Sequence, residues 1–243
     1  MKLLGLIGRN ISYSFSRSYF KEKFEKLHLE NDFQYRNFDI EQINLFPSII
    51  KENKKLIGCN VTIPYKLEII PYLDVLDEVS KEIGAVNTIK IKDGKLYGFN
   101  TDAYGFENSI KPLIKHQKKA LILGTGGASK AVVFALNKLG ISHKFVSRTK
   151  TENNFTYKEI DQKIMEDFEI IINCTPIGTF PNVTSKPDLP YEFLSEHHIL
   201  YDLVYNPEET AFLKEGKKKH STIKNGYEML VLQAEKSWEI WNL

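Results

Sequence analysis

The chain has 243 residues, of which 42% are hydrophobic and 26% charged, and these proportions are those of a globular protein with a core. They exclude general disorder. Lysines and arginines number 33 against 31 acidic residues, and the resulting charge of +2 is too balanced to indicate nucleic acid or an anionic membrane as the main partner. A chain of this length forms one large domain or two small ones, and we expect two.

Strand-like and helical patterns alternate through the first hundred residues. In chain order we predict the strand LLGLIG, a helix from Ser18 to Leu27, the strand FQYRNF, a polar helix, and the strand LIGCNVTI. After Pro64 we expect two short helical stretches, the second around Val75–Ile83. AVNTIKI and KLYGFN then form a hairpin, because the Asp-Gly pair between them is typical of a tight turn. The alternation predicts βαβ units and a mostly parallel sheet.

A helix from Asp102 to about Lys115 leads into a second βαβ series. Its predicted strands are ALIL, HKFVSR, EIIINC and HILYDLVY. The last stretch, Gly226 to Trp241, has a broad apolar face and is predicted as a helix. Its periodicity does not indicate which lobe it packs on. The fold class is therefore α/β with two domains, the second of Rossmann type.

The segment ALILGTGGASKAV reads as a strand, a glycine turn and a helix start. Glycines there allow a tight turn and close approach to a pyrophosphate, whose charge lies against helix N-terminal amides. This predicts cofactor contacts from five residues, although Ser129 replaces the third glycine of the fingerprint: Gly124, Thr125, Gly126, Gly127 and Ala128. The alternative is an ordinary strand-to-helix turn.

The next predicted strand ends in Ser147, Arg148, Thr149 and Lys150, where an NAD site would have an acidic residue. Hydroxyls and a guanidinium suit the 2′-phosphate of NADP, which arginine binds in a charge-assisted, bidentate way. The sequence therefore predicts NADP as the cofactor. The alternative is a solvated loop with two chance cations.

Lys66 and Asp102 are the candidates for the chemical step. Reduction of a ketone by hydride places negative charge on oxygen, so the site needs a cation or proton donor there. The segment NVTIPYK ends a strand, and Pro64 is expected to start a helix that holds Lys66. Asp102 could orient its ammonium group. Taken alone, Lys66 could be an ordinary solvated lysine, and Asp102 could be an ordinary helix N-cap.

Together these motifs resemble the shikimate dehydrogenase family along essentially the whole chain. The matching segments are GLIGRNISYSFS, GCNVTIPYK, GAVNTI, GFNTDAYG, GTGGASKA, SRTK, NCTPIG, LVYNP and NGYEMLVLQA. The resemblance implies Lys66 and Asp102 as the catalytic pair. It implies substrate contacts from Ser14, Ser16, Asn60, Thr62, Asn87, Tyr205 and Gln233, and further cofactor contacts from Thr175 and Gly226.

The resemblance also implies that the last helix returns to the first lobe. The expected domains are then a substrate-binding and catalytic domain, 1–101 plus 226–243, and an NADP-binding domain, 102–225. The family reaction is the reversible reduction of 3-dehydroshikimate to shikimate by NADPH, on the route to aromatic amino acids. The sequence departs from the family pattern at Asn10 and Arg17, where proline is usual, and at Ser147, where asparagine is usual.

Two other functions are compatible with these motifs. A quinate or aminoshikimate dehydrogenase relative would share every motif, and a non-catalytic NADP-binding regulator could share the fold. We expect no metal, because Cys59 and Cys174 lie in apolar runs without ligand spacing. Such thiols favour a reducing cytoplasm. No apolar run approaches the length of a membrane span. The expected partner is a small-molecule substrate, and the chain is expected as a monomer or homodimer.

Overall fold

A computed structural model describes residues 1–12 and 14–243. The chain divides into two compact units. The first comprises Met1–Thr101 and Ala234–Leu243, and the second comprises Asp102–Gln233.

The first unit alternates strands and helices up to its hairpin. Its elements are β1 (Lys2–Gly8), α1 (Phe15–Lys26), β2 (Phe33–Asp39), α2 (Phe46–Glu52), β3 (Leu56–Val61), β4 (Val75–Leu76), α3 (Glu78–Ile83), β5 (Thr88–Lys92) and β6 (Lys95–Phe99). The six strands form one sheet in the order β2-β1-β3-β5-β6-β4. Three of the five pairings are parallel, and β5 runs antiparallel to both neighbours.

The predicted hairpin turn lies between β5 and β6. Asp93 has φ of 52° and Gly94 has φ of 73°, so both central residues are left-handed. This conformation suits the twist of the flanking strands and explains the Asp-Gly pair.

Two apolar clusters cover the sheet of the first unit. One joins β1 and β2 to α1 and to the last residues of the chain, through side chains that include Phe20, Tyr35 and Trp241. The other joins β1, β3 and β5 to α2 and the turn after β3, and includes Phe46 and Tyr65. The sheet is therefore buried on both faces, as parallel sheets usually are.

The second unit contains six strands, three helices of its own and two helices that it shares with the first unit. Its elements are α4 (Thr101–Ile110), β7 (Lys119–Leu123), α5 (Gly127–Lys138), β8 (Ser142–Ser147), β9 (Asn154–Thr156), α6 (Gln162–Asp167), β10 (Ile170–Asn173), β11 (Ile199–Asp202), α7 (Ala211–Lys218), β12 (Thr222–Lys224) and α8 (Tyr227–Asn242). The strands are all parallel, in the order β12-β11-β10-β7-β8-β9.

This order is the doubly wound one, read 3-2-1-4-5-6 from β9 to β12, and it reverses direction between β7 and β10. Alternate residues of β7 point to opposite faces: Ala120 and Ile122 pack in one cluster, and Leu121 and Leu123 in another. Both faces are therefore covered, and the predicted α/β class with a Rossmann-type second half is confirmed.

The structure differs from the prediction at several elements. β9 and β12, of three residues each, were not predicted, and Val75–Leu76 is a strand rather than part of a helix. The second unit ends at Gln233, whereas the predicted boundary is at 225. The reason is that Met229, early in α8, packs in a second-unit cluster, whereas Trp241, near its end, packs in the first unit.

No helix in the described part of the chain is both long enough and apolar enough to cross a membrane.

Asp202, at the end of β11, is the centre of a buried polar network. Its carboxylate accepts hydrogen bonds from the hydroxyl of Thr210 at 2.6 Å, the amide of Val204 at 3.0 Å and the Asn173 side chain at 3.0 Å. The side chain is fully buried, and burial raises its pKa to about 6 in spite of these donors. Asp202 is thus costly to ionise but tied to three chain segments.

The raised pKa predicts how Asp202 affects stability. The folded protein retains the Asp202 proton up to about pH 6, whereas the unfolded chain loses it near the ordinary value of 3.8. The contribution of this side chain to the free energy of unfolding therefore falls as pH rises from about 4 to above 6, by ~3 kcal/mol at most. Chemical denaturation of the wild-type and Asp202→Asn proteins at each pH measures it. A difference between the two proteins that does not change over this interval would contradict the raised pKa.

Candidate active site

Ser14 lies in the segment between β1 and α1, and its hydroxyl is buried without a protein partner among the described residues. Its backbone is fixed, because its amide donates to the Ile11 carbonyl at 3.1 Å. A buried polar group without a partner is rare and calls for an explanation. A ligand oxygen at this hydroxyl would supply one, which fits the predicted contact with a substrate carboxylate. Ser16 lies beside the buried side chain of Tyr35.

The segment after β3 holds Thr62 and Lys66. The amide of Thr62 donates to the Ile7 carbonyl at 2.9 Å, which continues the pairing of β3 with β1. Lys66 lies in a turn rather than in the predicted helix, because the carbonyl of Lys66 accepts from the amide of Val86 at 2.8 Å instead of from residue 70. The Lys66 side chain is half-buried. Its backbone is therefore fixed to the segment between α3 and β5.

Asn60 and Asn87 belong to a buried hydrogen-bond network. The Asn60 side chain accepts from the hydroxyl of Tyr35 at 2.8 Å and donates to the hydroxyl of Ser237 at 3.0 Å. Asn87 accepts from the amide of Thr101 at 2.7 Å and donates to its hydroxyl at 2.9 Å. The structure gives Asn60 a structural role, since protein groups occupy both ends of its amide. The predicted contacts of Asn60 and Asn87 with substrate stay predictions.

Asp102 lies in the first turn of α4, one residue inside the helix, and only 9% of its surface is exposed. A carboxylate there is stabilised by the positive end of the helix dipole. Asp102 belongs to the second unit and Lys66 to the first. Their pairing stays a prediction.

The glycine loop connects β7 to α5. Gly124 has φ of 93°, which disfavours any other residue, and a side chain there would also meet Thr175. A Cβ atom at Gly126 would meet nothing within 4 Å, so the backbone is open to a ligand. α5 begins at Gly127 without a side-chain cap, which leaves its first amides available to an anion. Ser129, in place of the third glycine, is buried and donates to the Gly126 carbonyl at 2.6 Å.

The loop after β8 carries two cations, Arg148 and Lys150, which differ in their partners. Lys150 donates to Glu159 at 2.7 Å and to the Asn154 carbonyl at 3.0 Å, so its charge is already paired with a carboxylate. Its ammonium and the Thr156 backbone together lower the pKa of Glu159 to about 2. Arg148 is exposed, and no described carboxylate lies within ion-pair distance of it. Arg148 is therefore the cation of this loop without a carboxylate partner in the described chain, and its contact with a phosphate stays a prediction.

Asn154, the first residue of β9, holds the shape of the loop between β8 and β9. The Asn154 side chain donates to the Thr149 carbonyl at 2.8 Å and accepts from the amide of Thr151 at 2.6 Å. The hydroxyl of Ser147 donates to the same Thr149 carbonyl at 2.7 Å. Asn154 was not among the predicted residues. Its only signal in the sequence is an asparagine near a turn, which is too common to single out.

Thr175 follows β10 and is fixed by Asn173. The amide and the hydroxyl of Thr175 both donate to the Asn173 side-chain oxygen, at 3.0 and 2.6 Å. Asn173 in turn donates to Asp202. The buried network centred on Asp202 therefore positions the predicted cofactor residue of this loop.

The remaining predicted residues are Tyr205, Gly226 and Gln233. Tyr205 is half-buried in the loop after β11, and Gln233 is buried on α8 with its amide donating to the Leu230 carbonyl at 2.9 Å. A side chain at Gly226 would collide with the Leu203 carbonyl, so packing alone requires this glycine. Their ligand contacts stay predictions.

A cavity of about 320 Å³ lies at the carboxyl ends of the second-unit strands. It is lined by residues from the loops after β7, β8, β9 and β10: Gly124, Thr125, Ser147, Arg148, Tyr157, Thr175, Pro176 and Ile177. Five of the predicted cofactor residues therefore line one cavity. Ligands of doubly wound sheets bind at this edge, where the strand order reverses. Backbone amides and a guanidinium suit the phosphates of a dinucleotide, and apolar side chains suit its rings, so these residues fit NADP.

The described residues contain no group that indicates metal or thiol chemistry. No cluster of metal-binding side chains exists among residues 1–12 and 14–243. Cys59 is buried and Cys174 is partly buried against a core cluster, and burial raises the pKa of both thiols. Neither is a reactive thiolate.

Comparison with known proteins agrees with this geometry. Residues 6–89 match the model of the shikimate dehydrogenase substrate binding domain. The chain is 39% identical to a shikimate dehydrogenase (NADP(+)) of Clostridium beijerinckii, over 99% of this chain and 92% of that one. It is 40% identical to one of Methanococcus maripaludis, with coverage of 99% and 91%.

The chain belongs to the shikimate dehydrogenase family.

Solved structures of this family share the fold. The shikimate 5-dehydrogenase of Thermus thermophilus, determined in complex with NADP(H) and shikimate, matches with a TM-score of 0.86 at 31% identity. The match covers 99% of this chain and 93% of that one. The similarity to this family in sequence and in fold therefore covers both units, well beyond the matched segment 6–89.

Arg148 is predicted to distinguish NADPH from NADH. Arg148→Asp should raise the KM for NADPH roughly 10- to 100-fold, since a charge-assisted contact contributes about 1.5–3 kcal/mol, and should change the KM for NADH little. Lys150→Gln is the matched control, because Lys150 is already paired with Glu159. Steady-state kinetics with both cofactors measures the effect. Equal losses with NADPH and NADH would exclude the phosphate role.

The unpartnered Ser14 hydroxyl predicts a substrate contact. Ser14→Ala should raise the KM for the carboxylate substrate roughly 5- to 10-fold, the loss of about one hydrogen bond, and leave the KM for NADPH unchanged. Ser80→Ala is the control, because the Ser80 hydroxyl is also buried without a partner in the described structure but lies on α3. The same change in KM for both variants, or none for Ser14→Ala, would refute the contact.

Proposed function

We propose that this protein catalyses the reversible reduction of 3-dehydroshikimate to shikimate with NADPH. The observation that carries the proposal is the available guanidinium of Arg148 beside the glycine loop, at the edge where strand order reverses. No acidic side chain directly follows β8 to bind an unphosphorylated ribose. The relatives reported above bear the name of the NADP-dependent enzyme, which supports the same cofactor and reaction.

The substrate is a small ring ketone with a carboxylate. We assign the carboxylate to the hydroxyls of Ser14 and Ser16, because Ser14 lacks a protein partner in the described structure. Hydroxyl and amide groups suit the ring hydroxyls, and we assign these to Thr62, Asn87, Tyr205 and Gln233. Several hydrogen bonds to a rigid ring would hold the ketone in one orientation and so reduce the entropic part of the barrier.

Lys66 and Asp102 perform the proton chemistry in this proposal. When bound, NADPH supplies the hydride that the ketone carbon accepts. The carbonyl oxygen then gains negative charge, and the Lys66 ammonium stabilises it and donates the proton that completes the alcohol. Asp102, in the first turn of α4, orients that ammonium. In the reverse direction Lys66 accepts the proton of the substrate hydroxyl.

Two other functions were open from the sequence, and nothing in the comparisons favours either. A quinate or aminoshikimate dehydrogenase relative would use the same residues on a ring with different substituents. A non-catalytic NADP-binding regulator would have no need of both Lys66 and Asp102, which are present. The cytoplasmic location, and the monomer or homodimer state, stay predictions.

A substrate panel separates these functions. NADP⁺ reduction is followed optically with shikimate, quinate and aminoshikimate at equal concentrations. The proposal expects kcat/KM to be highest for shikimate. A higher value for quinate or aminoshikimate would move the assignment to that relative, and no turnover with any of the three would support the regulator.

Lys66→Ala is predicted to lower kcat by about 100-fold or more and to change the KM for 3-dehydroshikimate much less. The reason is that the interaction of Lys66 strengthens as charge develops on the oxygen in the transition state. Rapid kinetics of NADPH oxidation measures both parameters. Lys95→Ala, an exposed lysine of the hairpin, is the control. An unchanged kcat would remove Lys66 from the chemical step.

A further inference from the structure

Tyr157 is a residue of the cofactor cavity that sequence reasoning did not identify. It follows β9, the outermost strand of the second-unit sheet, and lines the same cavity as the glycine loop and Arg148. Pro176 and Ile177, which follow β10, line this cavity as well. An aromatic ring and two apolar side chains therefore share a cavity whose other groups are suited to phosphates.

The position of Tyr157 is fixed by a capping box. The amide and the hydroxyl of Thr156 both donate to Glu159, at 2.7 and 2.9 Å, so Tyr157 is the first residue of a short helical turn. Glu159 also accepts from Lys150, which belongs to the loop after β8. One carboxylate thus ties the segment of Tyr157 to the loop that presents Arg148.

The surroundings of the Tyr157 ring suit a ligand on one side. The ring packs against the apolar cluster that includes Val146 and Ile160, yet the residue stays half-buried. Burial raises the pKa of Tyr157, and the nearby charge of Arg148 partly offsets this effect. Its hydroxyl has no hydrogen-bond partner among the described residues. Packing therefore accounts for part of the side chain, and Tyr157 also lines the cavity.

We propose that Tyr157 binds the adenine ring of the cofactor by stacking. This inference rests on the proposed function, in which the α5 amides hold the pyrophosphate and Arg148 holds the 2′-phosphate. Both groups are attached to the adenosine ribose, so the base must lie within a few ångströms of Arg148. The slot formed by Tyr157, Pro176 and Ile177 is the apolar space there. Planar bases stack on aromatic rings irrespective of their hydrogen-bonding groups.

The test measures the binding of cofactor fragments, apart from any turnover. Dissociation constants for 2′,5′-ADP and 5′-AMP are determined by titration calorimetry with the wild-type, Tyr157→Leu and Tyr157→Phe proteins. Leucine retains the contact with the apolar cluster but removes the ring. We expect Tyr157→Leu to weaken both ligands by the same factor, roughly 5- to 100-fold, the effect of losing one base–aromatic stack. Tyr157→Phe should bind within about 2-fold of wild type.

The controls distinguish failure of this inference from failure of the proposed function. Tyr97→Leu, at a partly exposed tyrosine of the first unit, should leave both affinities unchanged. If wild type binds 2′,5′-ADP and Tyr157→Leu binds both ligands equally well, stacking is refuted and the cofactor assignment stands. Weakening of 2′,5′-ADP alone would assign Tyr157 to the phosphate and refute the adenine contact. A wild-type protein that binds neither fragment would overturn the NADP assignment itself and this inference with it.

Discussion

The reversal of strand order between β7 and β10 is the constraint on which the cofactor site depends. The connection after β7, which contains α5, packs on one face of the sheet, and the connection after β10 packs on the other. The loops after the two strands therefore diverge and leave a crevice. Gly124 can approach Thr175 closely only because it has no side chain. The buried carboxylate of Asp202 then fixes the second loop through Asn173. The geometry is thus set by backbone topology and one costly buried charge.

Neighbouring side chains decide which charges are available to a ligand. Arg148 and Lys150 look equivalent in the sequence, but Glu159 is paired with Lys150, and Arg148 is the cation that we propose for the phosphate. The Ser14 hydroxyl is a second example, because it is buried without a partner in the described chain. Specificity for a phosphate or a carboxylate therefore depends on which polar groups the fold leaves unsatisfied.

Much of the fold was predictable because long apolar strands and the Asp93-Gly94 turn carry strong local signals. The short strands β9 and β12 were missed, because three residues give no periodicity. The turn at Lys66 was missed because it depends on a hydrogen bond from Val86, a residue distant in sequence. Motifs singled out neither Tyr157, which lines the cofactor cavity, nor Ser237, which accepts a hydrogen bond from Asn60. Both positions depend on contacts with residues distant in sequence, which no local pattern encodes.

The reduction of 3-dehydroshikimate with NADPH is tested most directly by the optical rate of NADPH oxidation on addition of 3-dehydroshikimate to the wild-type protein. NADH is the alternative cofactor and dehydroquinate the alternative ketone. We expect turnover with NADPH and 3-dehydroshikimate to exceed turnover with each of the other combinations. No oxidation of NADPH with either ketone, by protein that is folded and binds 2′,5′-ADP, would contradict it.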